Sequence, residues 1–445
     1  MGERMKIAIV TLDTFSTKMA GPAIRVWEMA GMLAREHEVT VLTFAAADRT
    51  SPHFAIRGTR VADFEKDLGT PDIVIIQGYL VHTFPWLGER EFRLVVDLYD
   101  PFHLESLGVE KHRPMPDRDR ALQHAIGELS AQIRIGDFFL CASESQRSLW
   151  IGHLAALGRV NPRTYDADGS LRSLIDLAPF GIAGPTPVQE RRAIKGAIPG
   201  ISESDHLLIW GGGIYNWFDP LTVISAVGIA AQTDPTIRLL FLGAKHPNPD
   251  VPQMAMAVEA RRRADELGLT DTHVFFLDDW VEYGDRHNYL LDADIGITAH
   301  FADIETHFSF RTRVLDYLWT GLPIITSAGD FFGDLVEARG LGRTVPVEDE
   351  AAMATAILDV LERAEEIAPR VLEAAEDFSW ETTLAPLLAY CRDPHYAADR
   401  LDRTAPVEVA APRPTLRSLT SKTWESVRRA GLRHTAARAV RYLRR

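Results

Sequence analysis

Short apolar runs alternate with amphipathic segments twice along this chain, and that alternation restricts the fold more than any other feature. The first run, residues 6–12, is almost continuously apolar through Ile7, Ala8, Ile9 and Val10, as a strand covered on both faces requires. Residues 23–36 carry Val26, Met29, Ala30 and Leu33 on one helical face. Residues 38–43 return to a strand pattern through Val39, Val41 and Leu42. A strand, a helix and a second strand in that order imply a right-handed crossover between parallel strands. Residues 72–77, 94–99 and 137–142 continue as strands, residues 118–135 and those from Glu144 onward as helices, and residues 177–181 as a short last strand and turn.

Pro185, Pro187 and Pro199, with Gly184, Gly196 and Gly200, mark residues 183–205 as a boundary. The alternation then resumes, with strands at 206–210, 238–242, 274–277, 295–298 and 323–326. Helices are expected at 221–231, 251–267, 286–291, 312–320, 347–363 and 380–390. The expected class is α/β, with two Rossmann-like doubly wound domains facing across a cleft. Their expected bounds are 1–183 and 195–372, followed by a closing helix in 373–395 and a linker and basic amphipathic tail over 404–445.

Charge separates the tail from the body. The net charge is −14, yet residues 413–445 hold ten Lys/Arg against the single acid Glu425. So acidic a body argues against a nucleic-acid partner. A basic amphipathic tail fits an anionic membrane surface, a partner-docking helix or a disordered segment. No run of about 18 apolar residues suggests a membrane span, and no cleavage site follows the N-terminus. Two cysteines, Cys141 and Cys391, are too few for a disulfide framework and lack zinc spacing. The expectation is a cytoplasmic protein, with peripheral attachment at the inner face of a membrane through the tail.

Open parallel sheets bind ligands beyond the carboxyl ends of their strands, so the residues just after strands are the candidates for chemistry. Gly21 opens the first helix, where backbone N–H groups can meet an anion or merely turn the chain. Gly211, Gly212 and Gly213 follow the first strand of the second half. They allow backbone to approach a phosphate, or they only punctuate; they are not a GxGxxG fingerprint. Asp100 and His103 follow a first-half strand, with Asp97 just before them; an Asp before Pro also forms turns. Glu305, Arg311, Arg313 and Asp316 cluster before and within a helix. The helix dipole opposes cations in a first turn, so arginines there suit an anion bound between them and the helix; a surface ion pair with Glu305 or Asp303 is the alternative. No HExxH, Walker A or metal cluster is present.

Two signatures resemble the retaining, nucleotide-sugar-dependent glycosyltransferases of family 4, which have the GT-B fold. One is Gly21-Pro22-Ala23-Ile24-Arg25-Val26-Trp27-Glu28-Met29-Ala30 with Leu33 and residues 37–41; the other is Asp316-Tyr317-Leu318-Trp319-Thr320-Gly321-Leu322-Pro323. The resemblance covers nearly all of residues 5–393. It implies a ribose-binding acid at Asp316, here shorter than the family's Glu. It also implies a Glu eight residues earlier, where this chain has Phe308; Glu305 is the nearest substitute. The family's Arg and Lys after the second-half glycines correspond to Ile214 and Phe218-Asp219, which leaves Arg311, Arg313 or Lys245 to supply positive charge. Its His-Asp pair appears as Tyr99-Asp100.

The resemblance thus implies glycosyl transfer, with retention, from a nucleoside-diphosphate sugar to an acceptor hydroxyl. The setting expected is bacterial surface-polysaccharide or glycolipid assembly on a lipid-linked acceptor. Asp100, His103, Glu305 and Arg311 are the expected catalytic set. Gly21, Gly211, Gly212, Gly213, Lys245, Arg311, Arg313 and Asp316 are the expected donor site. No cofactor or metal is expected. A non-catalytic sugar-nucleotide-binding homologue is the alternative. A nicotinamide-dependent enzyme or epimerase is disfavoured, because GxGxxG and a Tyr-x-x-x-Lys pair are lacking.

Overall fold

A computed structural model describes residues 4–182, 184–243 and 254–400. The first sheet contains β1 (Lys6–Thr11), β2 (Glu38–Thr43), β3 (Ala55–Gly58), β4 (Ile73–Ile76), β5 (Arg93–Asp97), β6 (Phe138–Cys141) and β7 (Ile175–Leu177). Its strands are all parallel, in the order β3-β2-β1-β4-β5-β6-β7. Alternate residues of β1 serve different cores. Ile7 and Ile9 pack with Val26, Met29 and Leu33 of helix Gly21–Leu33, whereas Ala8 and Val10 pack with Leu129 and Ile133 of helix Met115–Ile135. Helices on both faces explain why the strand pattern is continuous rather than alternating.

The second sheet contains β8 (His206–Gly211), β9 (Ile237–Leu242), β10 (Val274–Leu277), β11 (Ile295–Ile297), β12 (Ile324–Ser327) and β13 (Gly342–Val345). It is parallel too, in the order β10-β9-β8-β11-β12-β13. In each sheet the order reverses beside the first strand, at β1/β4 and at β8/β11, and a crevice opens at such a reversal.

The last described segment does not stay with the second sheet. Trp380 packs tilted against Phe180 at 4.9 Å, and Tyr390, in helix Ala385–Arg392, stacks on Phe138 of β6 at 4.5 Å. Asp399 accepts from Arg159 at 2.6 Å, and Arg400 pairs with Asp137 at 3.3 Å. The expected closing helix at 380–390 is two pieces, Trp380–Thr383 and Ala385–Arg392. Ile182 pairs with Ser379 in a parallel bridge, and its N–H donates to Phe378 O at 2.7 Å, so the outgoing and returning crossings lie side by side. Lys245 and the tail of residues 404–445 lie outside the described residues.

Candidate functional site

The carboxyl ends of both sheets line one cleft. A cavity of about 750 Å³ is walled by Asp13, Lys18, Gly21, Asp100 and Glu105 from the first half and by Tyr215, Trp217, Trp280, Glu305 and Arg311 from the second. A smaller cavity of about 280 Å³ shares Gly21, Glu105 and Arg311. It runs to Gly211, Gly212, Gly213, Arg286, Arg313 and Asp316. Hydrogen bonds tie the two halves across the cleft: Tyr283 N–H donates to Thr17 O at 3.1 Å, Tyr283 Oη to Glu28 at 3.1 Å, and Gln146 Nε2 to Phe308 O at 2.8 Å.

Helix Arg313–Thr320 is pinned to the β8/β11 reversal by one side chain. Tyr317 Oη accepts from Gly211 N–H at 2.9 Å and stands 3.0 Å from Ile297 O and 3.1 Å from Ile209 O. Its ring lies on Gly296, where a Cβ would fall 2.3 Å from the ring. The same helix ends at Gly321 in the left-handed conformation. Gly212 has φ +97°, a conformation that favours glycine.

This anchoring sets the arginines. Arg313 is buried at the first helical position. Its Nη2 donates to Gly213 O at 2.7 Å, and its guanidinium lies over the Phe218 ring at 4.0 Å and the Trp210 ring at 4.6 Å. No carboxylate faces it, and Nη1 has no hydrogen-bond partner among the described residues. Burial pushes its pKa down to about 10, and the like charge of Arg311 adds to that. Arg311 is different: Glu305 grips it with both oxygens, at 2.9 and 2.7 Å, and its guanidinium also lies over Phe218, at 4.9 Å. Where the resemblance expects a cation, Phe218 thus offers a ring on which two arginines rest. A stacked, desolvated guanidinium on an aromatic face gains about 2 kcal/mol.

Asp316, in the first turn of the same helix, accepts from Arg286 Nε at 3.0 Å. Arg286 lies between the rings of Tyr283 and Trp319, at 4.0 and 4.4 Å. The sequence reading passed over Arg286, although it too is a cation at the first position of a helix, the signal that drew attention to Arg311 and Arg313.

The first-half wall is acidic. Burial raises Asp100 to about 6 and Glu105 well above the carboxylate range, and the charge of Asp100 raises Glu105 further. Two adjacent carboxylates do not both ionise readily. Burial also raises Asp13. Glu105 was missed because helix Phe102–Val109 has no buried residue and no apolar stripe to announce it. Gly21 opens helix Gly21–Leu33 with no capping side chain, and a Cβ there would meet nothing within 4 Å.

Two candidates lie elsewhere. His103 packs its ring near Trp150 at 5.5 Å and lines neither cavity; burial lowers it to about 4. Asp97 is not a strand-end acid of the cleft: Arg25 holds both its oxygens, at 2.7 and 2.8 Å, with both side chains buried. Phe308, in the position where the resemblance expects a Glu, accepts Gln146 Nε2 of the first half through its backbone carbonyl. Among the described residues no group of three or more His, Cys, Asp or Glu is arranged to hold a metal ion. None of their helices is long and apolar enough to cross a membrane.

No protein-family model and no curated protein matches the chain. Solved structures do match its fold. Sucrose-phosphate synthase from Thermosynechococcus elongatus is 16% identical, with TM-score 0.63, over 87% of this chain and 98% of that one. WaaG, a glycosyltransferase involved in lipopolysaccharide biosynthesis, is 14% identical, with TM-score 0.61, over 87% and 100%. Anabaena HepE, in complex with UDP-glucose, is 14% identical, with TM-score 0.58, over 87% and 99%. These are GT-B glycosyltransferases, and the two parallel-sheet Rossmann-like domains described above give this chain the GT-B fold.

Proposed function

We propose that this protein transfers a glycosyl group from a nucleoside-diphosphate sugar to an acceptor hydroxyl, with retention of anomeric configuration. The observation that carries the proposal is Arg313: a buried guanidinium, facing no carboxylate, beside three glycines at a strand-end crevice. Burying such a charge is costly, and an anionic ligand repays the cost. A diphosphate between Arg313 and the Gly211–Gly213 backbone suits the site. Fixed donors aimed at a departing diphosphate stabilise the charge that develops on it. Asp316, steadied by Arg286, accepts from the ribose. Glu305, steadied by Arg311, meets sugar hydroxyls, and the Asp100–Glu105 pair faces the sugar or the acceptor. The leaving phosphate takes the acceptor proton, so no protein nucleophile is needed. The neighbouring folds support this reading, since HepE was solved with UDP, with UDP-glucose and with UDP plus glucose.

The setting we propose is assembly of a bacterial surface polysaccharide or glycolipid on a lipid-linked acceptor, with residues 413–445 at an anionic membrane surface. The tail's ten basic residues support it, at about 1 kcal/mol each near such a surface. Removing residues 413–445 is expected to weaken binding to vesicles containing anionic lipid and to leave donor hydrolysis unchanged. Equal vesicle binding by both forms refutes the membrane role.

The deciding experiment is a thermal-shift panel with UDP, GDP, ADP, CDP and dTDP, followed by donor turnover. A nucleotide at about 100 times its Kd adds about 2.7 kcal/mol and raises Tm by a few degrees. No shift with any of them at millimolar concentration overturns the proposal. A shift without any turnover favours a non-catalytic sugar-nucleotide-binding homologue, a second reading that Phe308 in place of the family's Glu supports.

A further inference from the structure

Behind the Arg311–Glu305 pair lies a set of buried polar atoms that the proposed reaction leaves without a task. Thr298 and His300 follow β11, and Asp330 follows β12. Asp219 is beside them: Phe218 bridges to His300, and Asp219 N–H donates to Ala299 O at 2.9 Å. The side chains of His300 and Asp330 are 0% and 1% exposed. His300 Nε2 stands 3.4 Å from Asp330 Oδ2, and Arg311 Nε stands 3.9 Å from the same oxygen. None of these is a hydrogen bond. Both ring nitrogens of His300, Asp330 Oδ2, Arg311 Nε, Thr298 Oγ1 and Asp219 Oδ2 have no partner among the described residues.

Protein interiors satisfy roughly 90% or more of their buried polar groups, and each one left unpaired costs about 1–3 kcal/mol. A concentration of them at one place is therefore expensive. Two members of the set are oriented by capping a helix: Asp219 Oδ1 accepts Thr222 N–H at 3.1 Å, and Asp330 does the same elsewhere. Asp330 Oδ1 accepts Gly333 N–H at 2.7 Å and caps helix Phe331–Arg339. The cap turns Oδ2 toward the Nε edge of Arg311, while Glu305 occupies the two Nη groups.

We propose that Asp330, with His300 beside it, is a positioning residue for glycosyl transfer. It holds Arg311 by its Nε edge, Arg311 holds both oxygens of Glu305, and Glu305 is thereby fixed at the wall of the larger cavity. Two carboxylates on one guanidinium also keep Arg311 from being drawn to the donor diphosphate, which is left to Arg313. This inference rests on the glycosyl-transfer reading above.

Asp330→Asn separates the two tasks of the side chain. The amide oxygen still caps the helix, but the charge facing Arg311 is gone. The readout is release of nucleoside diphosphate from UDP-glucose, UDP-N-acetylglucosamine, GDP-mannose, ADP-glucose and dTDP-rhamnose, beside the nucleotide thermal shift. For the donor that wild type uses, kcat is expected to fall about 10²-fold, the cost of a misplaced catalytic group. KM and the nucleotide-induced shift are expected to stay as in wild type. Asp330→Glu is expected to recover part of the loss, and His300→Gln to lower kcat in the same direction by less. Wild-type kcat in Asp330→Asn overturns the proposal, as does an equal loss in kcat and nucleotide binding. If Asp330→Asn does not fold, His300→Gln decides, and unchanged kcat there overturns the proposal. A wild type that turns over none of the five donors overturns the glycosyl-transfer reading itself.

Discussion

Two buried arginines, Arg25 at 0% and Arg313 at 8% exposure, are surrounded very differently. Arg25, in the helix after β1, is held by both oxygens of Asp97 and by the carbonyls of Ala178 and Pro179, with Tyr99 against its face at 4.6 Å. Arg313, in the helix before β12, has one carbonyl and two aromatic rings, and its Nη1 has no partner among the described residues. The first is satisfied within the fold, so it is part of the scaffold. The second keeps a donor without a partner among the described residues, and the proposed diphosphate would satisfy it. One buried arginine is thus closed off by an ion pair, and the other has no carboxylate against it among the described residues.

Substitutions that should have opposite effects test this contrast. The largest effect is expected for Arg25→Ala, which leaves Asp97 buried and unpaired. It should cost about 3–5 kcal/mol of stability, measured by denaturant unfolding. Arg313→Met removes a buried charge that has no counter-ion among the described residues, so Tm is expected to hold or rise. Transfer should fall about 10²–10³-fold, and the nucleotide-induced shift should disappear. A Tm loss comparable with that of Arg25→Ala would erase the distinction between the two sites.

Backbone comes next. Gly212→Ala forces a side chain onto φ +97° and is expected to cost about 1–2 kcal/mol. Gly21→Ala, at an ordinary helical position with open space around its Cβ, should leave stability within about 0.5 kcal/mol.

The acidic wall has its own signature in pH. Asp100 is raised from 3.8 to about 6 by burial, so folding favours its protonated form. Its contribution to stability is complete below 3.8 and is lost as pH rises through about 6. Asp100→Asn is expected to remove that decline, giving a smaller fall in Tm between about pH 4 and pH 7 than wild type shows. A modest effect is expected for Tyr283→Phe. It breaks the hydrogen bond to Glu28 across the cleft and should cost about 1 kcal/mol, read from Tm.

Strands built on a buried apolar run were legible in the sequence, the edge strand β10 included; the edge strands with little buried surface, β3 and β13, were not. Residues 274–277 were read as a strand and are β10, because Val274 and Phe275 are buried within a continuous apolar run. β3 and β13 went unnoticed. Each is an edge strand covered by little, and their residues, Ala55–Gly58 and Gly342–Val345, are mostly not buried. The candidate site followed the same logic. Residues directly after strands or at helix starts, such as Gly211, Arg313 and Asp316, stood out by position. Glu105 and Asp330 did not, since their placement depends on long-range packing that no local pattern encodes. His103 stood out by type and proximity, yet its ring turned to Trp150.

The side-by-side crossings at Ile182 and Ser379 have a mechanical consequence. The chain passes between the two bodies at adjacent points, as a door hangs on closely set pins. Rotation about that short axis changes the width of the cleft with little stretching of either crossing, whereas sliding one body past the other would pull against both. Residues 380–400, although last in sequence among those described, travel with the first body, to which Tyr390, Asp399 and Arg400 fasten them.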